Sequence, residues 1–482
     1  MLSPRRAMGQ YSTPQDTVDY MVNLTLNHLE SHHNPHILDP STGDGIFVKT
    51  LVRSGVPARQ VHSYDIDPSI PSPYDGIHFS HEDFLKVDQE EKFDAIIGNP
   101  PYKSKRQSTY FTDNKLFLAE QFREIGVHNM YSLFIYKGLQ MLKDNGILSM
   151  IVQDSFLTNV YYKHFRKYLL SHTELKEIIL APRRLFHHGK ADVRTAILTL
   201  QKKKGHVDSA RTVRLVDRLS QQEYSNPPKE RVQYLAQTTF NKLPNYNFAV
   251  NVPEEILHLF QVRYTPLEKV VPIKTGISTG DDGQFLKREE EIEDLDEWIP
   301  FYKNGGAKDA WYYPPKFYLH RDWDTHSKKY EKFTLRNPAY FYREGITCSS
   351  MGVKFSAAYL PEGSLFGVNA NLFPEDRDDL YYLLGFLNSS LVKYILRKVL
   401  NRTNMVTSGY IKKIPYIAPS REKKDLVNKS VRQLVNGVKN NPDFPTQELH
   451  EKIDTIIFDV YGISEKQRGH VIAFCDDVLE QL

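Results

Sequence analysis

The sequence predicts an α/β chain. A doubly wound, Rossmann-like domain comes first, then a mixed α/β region and a helical tail. Three observations carry this expectation. Short apolar runs alternate with helical patterns from about residue 36 to residue 201. The alternation stops at Lys202-Lys203-Lys204-Gly205, after which Pro and turn residues rise, as in Asn226-Pro227-Pro228 and Pro314-Pro315. Helical periodicity is then rare until about residue 379 and dense from about residue 420.

The elements follow in order. Gln15–Leu29 reads as a helix, and Thr13 before Pro14 fits its N-cap. His36-Ile37-Leu38-Asp39 reads as a strand ending in a turn, and Ile46–Val52 as the helix behind it. Val61–Ile66 and Phe93–Gly98 are further strands. A helix over Tyr131–Lys143, a turn at Asp144-Asn145-Gly146 and a strand over Ile147–Val152 continue the pattern, and Lys176–Ala181 and Thr195–Gln201 add two more strands. Continuous apolar strands between helices indicate a parallel sheet covered on both faces. The expected organisation is therefore 1–205, a linker near 205–225, a second region over 225–415 and a helical tail over 416–482. The tail helices are Glu422–Val438, Thr446–Tyr461 and Ser464–Leu482.

Size and composition bound the function. A chain of 482 residues exceeds what one core holds, since cores stop growing near ~250–300 residues. At 40% hydrophobic and 25% charged, with mean hydropathy −0.49, the chain is neither disordered nor collagen-like. No run reaches ~18 uninterrupted apolar residues, so no bilayer span is expected. The basic start, Met1 to Arg6, has no apolar segment behind it, so no secretory signal is expected. The 2 cysteines, Cys348 and Cys475, cannot build a disulfide framework or a zinc cage. A cytoplasmic protein without a metal is expected. The net charge of +3 and pI near 8.4 fall short of a uniformly basic nucleic-acid binder, for which pI exceeds about 9. Any DNA contact must then use local basic patches.

Asp39-Pro40-Ser41-Thr42-Gly43-Asp44-Gly45 follows a strand and opens a helix. Glycines there let the backbone turn tightly and approach a ligand. The segment is shorter than G-x-G-x-x-G and is no phosphate loop. Asp65, at the end of the next strand with Ile66 after it, can accept from both ribose hydroxyls. A short glycine turn with a ribose acid suits a nucleoside without a pyrophosphate, such as S-adenosylmethionine. In His81-Glu82-Asp83-Phe84-Leu85, Asp83 can accept from an adenine amino group while Phe84 covers the ring. A plain surface turn with a buried Phe is the alternative.

Asn99-Pro100-Pro101-Tyr102 directly follows a strand, at the carboxyl end of the sheet where open α/β sheets bind ligands. The two prolines stiffen the loop. The Asn99 side-chain carbonyl and the Pro100 backbone carbonyl can accept both hydrogens of one exocyclic NH2 group. Those bonds pull the amine toward tetrahedral geometry and localise its lone pair. Tyr102 can stack on a base, a contact worth ~1–3 kcal/mol in other base–aromatic stacks.

With these residues in order, the chain resembles the gamma group of DNA adenine-N6 methyltransferases. That group carries a Gly-x-Tyr/Phe-x-Thr-Pro segment (here Gly9 to Pro14, with Tyr11 and Thr13), then the glycine turn, the ribose acid, Asp-Phe and Asn-Pro-Pro-Tyr. A separate target-recognition domain follows. The resemblance is close over about the first 205 residues and looser beyond. It implies S-adenosylmethionine as cofactor and duplex DNA as partner, with base flipping. Tyr11, Thr13, Asp39 and Pro40 would sit near the methionine part of the cofactor, above Gly43 and Gly45. Asp65 and Ile66 would hold its ribose, and Asp83 and Phe84 its adenine. Asn99, Pro100 and Tyr102 would hold the target base, and Phe186 would close the base pocket between two late strands.

The second region looks similar to the recognition regions of type IIG restriction–modification enzymes and of phage-defence (BREX) methyltransferases, at Arg343–Thr347 and Leu384–Ser390. Type IIG enzymes carry a nuclease domain before the methyltransferase, whereas the first family segment here begins at Gly9, so a stand-alone modification enzyme is expected, with any endonuclease or defence-system partner on a separate chain. Gly276–Gly283 is a glycine-rich loop after an expected strand, Val270–Lys274. Lys393 to Lys413 carries six bases and no acid, and Lys393 and Arg397 share a helical face that could anchor phosphates. Lys163, Arg166, Lys167, Arg183 and Arg184 could form a second basic rim. Glu289 to Asp294 reads as a solvated acidic face.

Three other readings fit parts of this pattern. A protein glutamine-N5 methyltransferase uses Asn-Pro-Pro-Tyr because an amide NH2 needs the same two acceptors. An RNA base methyltransferase is the second. The third, a specificity subunit that only binds DNA, has no need of Asn99, Tyr102, Asp65 and Gly43 together.

Overall fold

A computed structural model of the chain describes residues 12–30, 32–87, 92–182, 185–186, 193–205, 211–220, 223–224, 226–261, 264–305, 311–352 and 354–478. The chain forms two compact units, Met1–Val252 and Pro253–Leu482. Among the described residues no helix is long and apolar enough to cross a membrane.

The first unit is built on a nine-stranded sheet. Its strands are β1 (Ile37–Asp39), β2 (Val61–Asp65), β3 (His78–His81), β4 (Phe93–Gly98), β5 (Leu142–Gln153), β6 (Thr173–Leu180), β7 (Thr195–Lys202), β8 (Thr212–Val216) and β9 (Val232–Ala236), in the order β3-β2-β1-β4-β5-β7-β6-β8-β9. β3, β2, β1, β4 and β5 run parallel; β1, β4 and most of β5 are buried, as strands covered on both faces are, whereas the edge strand β3 is exposed at both its ends. β7 does not run parallel. It lies antiparallel between β5 and β6, so that β6 returns into β7 as a hairpin. The sheet also continues past residue 205, where β8 pairs parallel with β6 and β9 forms a hairpin with β8. Both are missed where the expected strands end at Lys202-Lys203-Lys204-Gly205, although Thr212-Val213-Arg214-Leu215 alternates.

Helix α1 (Gln15–Asn27) buries Thr17, Val18, Met21, Val22 and Thr25, a spacing that makes one helical face. Helix α2 (Ile46–Arg53) buries Phe47, Val48, Thr50 and Leu51. These faces pack with Ile37, Ala95, Ile97, Ile147, Ile151 and Ile179 in one core, each large side chain stabilising by roughly 1.5–3 kcal/mol. The chain leaves β1 to one side for β2 and returns to the other for β4. This reversal opens a crevice at the carboxyl ends of β1, β2 and β4, where Asp39, Asp65 and Asn99 lie.

The second unit holds two four-stranded sheets. One orders Ile273–Lys274, Asn371–Leu372, Gly345–Cys348 and Ala357–Leu360; the other orders Leu286–Lys287, Phe317–His320, Trp298–Tyr302 and Leu365–Phe366. Only Ile273–Lys274 of the expected strand Val270–Lys274 forms. Helices α3 (Arg377–Asn388), α4 (Ser390–Tyr394), α5 (Arg421–Asn440), α6 (Gln447–Tyr461) and α7 (Glu465–Ala473) complete the unit. The tail helices seat on α3 and α4. A Cβ at Gly385 would fall 2.8 Å from Val427 and 2.9 Å from Val431. Asp454 accepts from the Ser390 amide at 2.8 Å and its hydroxyl at 2.6 Å.

Candidate active site

The glycine turn is stitched to the end of β2. Thr42 donates its amide and its hydroxyl to the Tyr64 carbonyl, both at 2.9 Å. The Gly43 amide donates to Asp65 Oδ2 at 2.9 Å, and the Asp67 amide to Asp65 Oδ1 at 2.9 Å. Gly43 and Gly45 both take positive φ, +54° and +74°, a region glycine occupies without strain. A Cβ on Gly45 would lie 2.2 Å from the Pro73 Cβ, so Gly45 is required by close approach as well.

The loop after β4 is tied to the same turn. Ser41 Oγ donates to the Asn99 backbone carbonyl at 3.1 Å, and the Ser41 amide to Asp39 Oδ1 at 3.1 Å. Asn99 Nδ2 donates to Thr13 Oγ1 at 3.0 Å. The expected role of Thr13 as helix cap is therefore corrected: α1 has no side-chain cap, and Pro14 occupies that position. The Thr13 hydroxyl orients Asn99 instead. Gly98 was not singled out from the sequence. A Cβ there would lie 2.9 Å from Asp39 Oδ1, so the residue before Asn99 must be small for Asp39 to sit over it.

A cavity of about 530 Å³ opens where these segments meet. Thr13, Pro40, Gly43, Asp65 and Ile66 line it, and so do Asp83, Phe84 and Asn99. The carboxylate at the end of β2, the Asp-Phe pair and the Asn of the Pro-rich loop therefore share one crevice. Asp39, Gly45, Pro100, Tyr102 and Phe186 are not on its wall. Asp39 is fully buried, and its Oδ2 has no partner among the described residues. Burial pushes the Asp39 carboxyl up to about 7, with Asp65 and Asp44 adding repulsion against the Ser41 amide. Tyr102 is buried, and its hydroxyl donates to the Ile151 carbonyl at 2.9 Å. Phe186 meets it edge to face, centroids 6.2 Å apart and planes at 62°. Tyr11, Arg183 and Arg184 lie outside the described residues.

Sequence reasoning missed Tyr110 and Phe134, which also line the cavity. Tyr110 donates its hydroxyl to Asp83 Oδ2 at 2.7 Å. Burial raises that phenol, and the bond to Asp83 raises it further. Phe134 packs on Phe84 with centroids 5.2 Å apart. No local pattern marks these residues, because each meets its partner across a long stretch of chain.

Two expected basic surfaces are corrected. Lys393 and Arg397 are only 7% and 8% exposed. Arg397 donates to the carbonyls of Thr403 and Gly352, so this face is a folded core element and no phosphate anchor. Arg166 is also buried, donating to the carbonyls of Phe156, Asn159 and Asn245. Lys163 and Lys167 are exposed. The glycine-rich loop at 276–283 satisfies itself: Asp281 accepts from the Gly283 and Gln284 amides, and a Cβ on Gly276 would strike the Phe366 carbonyl at 2.0 Å. The acidic run from Glu289 to Asp294 is largely exposed. Among the described residues no three His, Cys, Asp or Glu side chains gather as a metal site.

Known proteins are similar to this chain in sequence or in fold. The family described as Eco57I restriction-modification methylase matches residues 70–186. The chain is similar to the type II methyltransferase M.HincII of Haemophilus influenzae, with 30% identity over 192 residues, 39% of this chain and 36% of that protein. It is similar to the adenine-specific methyltransferase PglX of Lacticaseibacillus casei (strain Zhang), with 26% identity over 335 residues, 62% of this chain and 27% of that one. The chain thus spans little more than a third of the first relative's length and about a quarter of the second's. A solved structure of the Type IIL restriction-modification enzyme MmeI in complex with DNA shares the fold, with a TM-score of 0.61 at 14% identity, over 97% of this chain and 75% of MmeI. Residues 70–186 are thus the part of this chain that is similar to the Eco57I restriction-modification methylase family.

Proposed function

We propose that this chain is a site-specific DNA methyltransferase acting on the exocyclic N6 of adenine in duplex DNA. It would serve in the cytoplasm as the modification enzyme of a restriction–modification or phage-defence system. A separate endonuclease or defence subunit is the protein partner such a system implies. The observation that carries the reading is the placement of Asn99 in one crevice with Asp65 and Phe84. Methyl transfer is assigned to 1–205, target recognition to 225–415, and support of the reader to the 416–482 tail.

The residues fit S-adenosylmethionine. Asp65 offers a carboxylate to the ribose, Phe84 and Phe134 an apolar wall to the adenine, and Asp83 an acceptor for its amine. Asp39, buried with one oxygen unpartnered, suits a nearby cation. When bound, this cofactor supplies an electrophilic methyl group. The chain's own residues prepare the nucleophile. The target adenine leaves the duplex at a cost of a few kcal/mol. The Asn99 side-chain carbonyl and the Pro100 carbonyl accept its two amine hydrogens, which frees the nitrogen lone pair. Thr13 fixes the Asn99 amide by holding its Nδ2. Tyr102 and Phe186 close on the base. Positioning of this kind accounts for a large share of the rate in oriented two-substrate reactions. The adenine-specific name of PglX supports adenine as the target, and the DNA complex of MmeI supports the duplex as partner.

The test is transfer of tritiated methyl from S-adenosylmethionine to duplex DNA, RNA and cell-extract protein in parallel. Label in duplex DNA alone is expected. Label in protein alone favours the glutamine reading, because an amide NH2 would engage the same two carbonyls.

A further inference from the structure

The mechanism leaves unused an exposed apolar pair beside the base-binding loop. Tyr161 is 65% exposed and Val160 47%, on a short turn over Val160–Tyr162. The turn is rigid. Asn159 Oδ1 accepts from the Tyr161 amide at 3.0 Å. The buried Arg166 guanidinium holds the Asn159 and Phe156 carbonyls at 2.9 and 2.6 Å. The next residue, Tyr162, stacks on Tyr131 at 5.6 Å, and Tyr131 meets Tyr102 edge to face at 6.4 Å. A fixed aromatic chain thus runs from Tyr102 to the residue beside Tyr161.

The surroundings are basic. His128 packs on Tyr161 at 5.7 Å, and its carbonyl accepts from the Lys105 amide at 3.4 Å, so the 103–106 loop borders the turn. No Asp or Glu occurs from residue 95 to 112 or from 155 to 173. Lys105, Arg106, Lys163 and Lys167 are all exposed. Burial lowers the His128 imidazole, and Lys105 and His164 lower it further.

From this geometry we infer that Tyr161, backed by Val160, is a wedge that packs against the bases left behind when the target leaves a DNA duplex, while Lys105, Lys163 and Lys167 hold the flanking phosphates. A rigid aromatic has a face for any base, and lysines anchor without reading sequence. Placing the wedge on a turn tied to Tyr102 couples base extrusion to the pocket that receives the base. The inference rests on the methyltransferase reading proposed above and adds the residue that stabilises the extruded state.

The test uses the full chain and a duplex bearing its site, located by mapping N6-methyladenine in the DNA of an expressing host. Replacing the target adenine by 2-aminopurine reports extrusion as a fluorescence rise. Wild type and Tyr234→Ala, which alters another exposed tyrosine (60%), are expected to give equal rises. Tyr161→Ala is expected to reduce extrusion and methyl transfer about tenfold or more, as for loss of one base–aromatic stack. Tyr161→Trp is expected to restore most of both. Opposite an abasic position, where less pairing must be broken, Tyr161→Ala is expected to return to within about threefold of wild type. Lys163→Ala with Lys167→Ala is expected to weaken binding on all sequences and reduce the salt slope by about two. Wild-type behaviour of Tyr161→Ala on the paired duplex overturns the wedge. So does an undiminished defect opposite the abasic position. A wild-type enzyme that methylates no duplex overturns the adenine reading beneath it, an outcome the Tyr161 variants cannot mimic.

Discussion

The Asn99 side chain donates from Nδ2 to the Thr13 hydroxyl at 3.0 Å, across 86 residues of sequence. That bond holds Nδ2 toward Thr13 and the carbonyl on the opposite side. Removing it with Thr13→Val should lower kcat about 10²-fold, the scale expected when a reacting group is misplaced by about 1 Å. Duplex binding should be unchanged. Steady-state methyl transfer and a binding isotherm on the same DNA check both halves.

Asp65 joins the glycine turn to the cofactor side of the crevice through Gly43. Asp65→Asn keeps the size of the side chain and removes its charge. S-adenosylmethionine affinity should fall roughly 10- to 100-fold, as for loss of a hydrogen bond to a charged group. Calorimetry without DNA measures this directly. Unchanged affinity would remove Asp65 from the ribose site.

The two turn glycines should respond differently to alanine. Gly43 has only the Ser41 carbonyl, at 3.9 Å, near its missing Cβ, whereas Gly45 has Pro73 at 2.2 Å. Gly43→Ala should cost about 1–2 kcal/mol from left-handed strain alone. Gly45→Ala should cost distinctly more, because Pro73 must also move. Urea unfolding of the two variants compares them, and equal losses would contradict the contact.

The proposed S-adenosylmethionine site predicts a pH dependence of binding through the buried Asp39. Its folded value near 7 lies above the ordinary 3.8. The folded state therefore holds this proton when the unfolded chain has lost it, so its contribution to stability is present at low pH and lost as pH rises through about 7. A bound cation favours the ionised form. S-adenosylmethionine binding should then release a proton and strengthen as pH rises toward about 7, by up to about tenfold per pH unit. Titration calorimetry in buffers of different ionisation heat detects the proton, and Asp39→Asn should abolish the dependence.

Much of the first unit was legible because its chemistry is local. β4 is a continuous apolar run with Asn99-Pro100-Pro101-Tyr102 directly behind it, and β1 leads straight into the glycine turn. The rest depended on partners distant in sequence. β7 is as buried as the parallel strands beside it, so its composition does not mark the reversal that its pairing with β5 and β6 shows. The bond from Tyr110 to Asp83 spans 27 residues and has no periodic trace. The bases of Lys393 to Lys413 misled because charge alone does not report burial. Long side chains cover apolar surface with their stems, and here Arg397 ends on backbone carbonyls.

The most direct test of the central claim is a map of N6-methyladenine in the DNA of a host lacking adenine methylation, expressing either the wild-type chain or Asn99→Ala. The account predicts methylated adenine at one recurring sequence with the wild type and none with Asn99→Ala, whose purified form should still bind S-adenosylmethionine and duplex DNA. Methylated adenine persisting with Asn99→Ala, or absent with the wild type while protein is labelled, would contradict it.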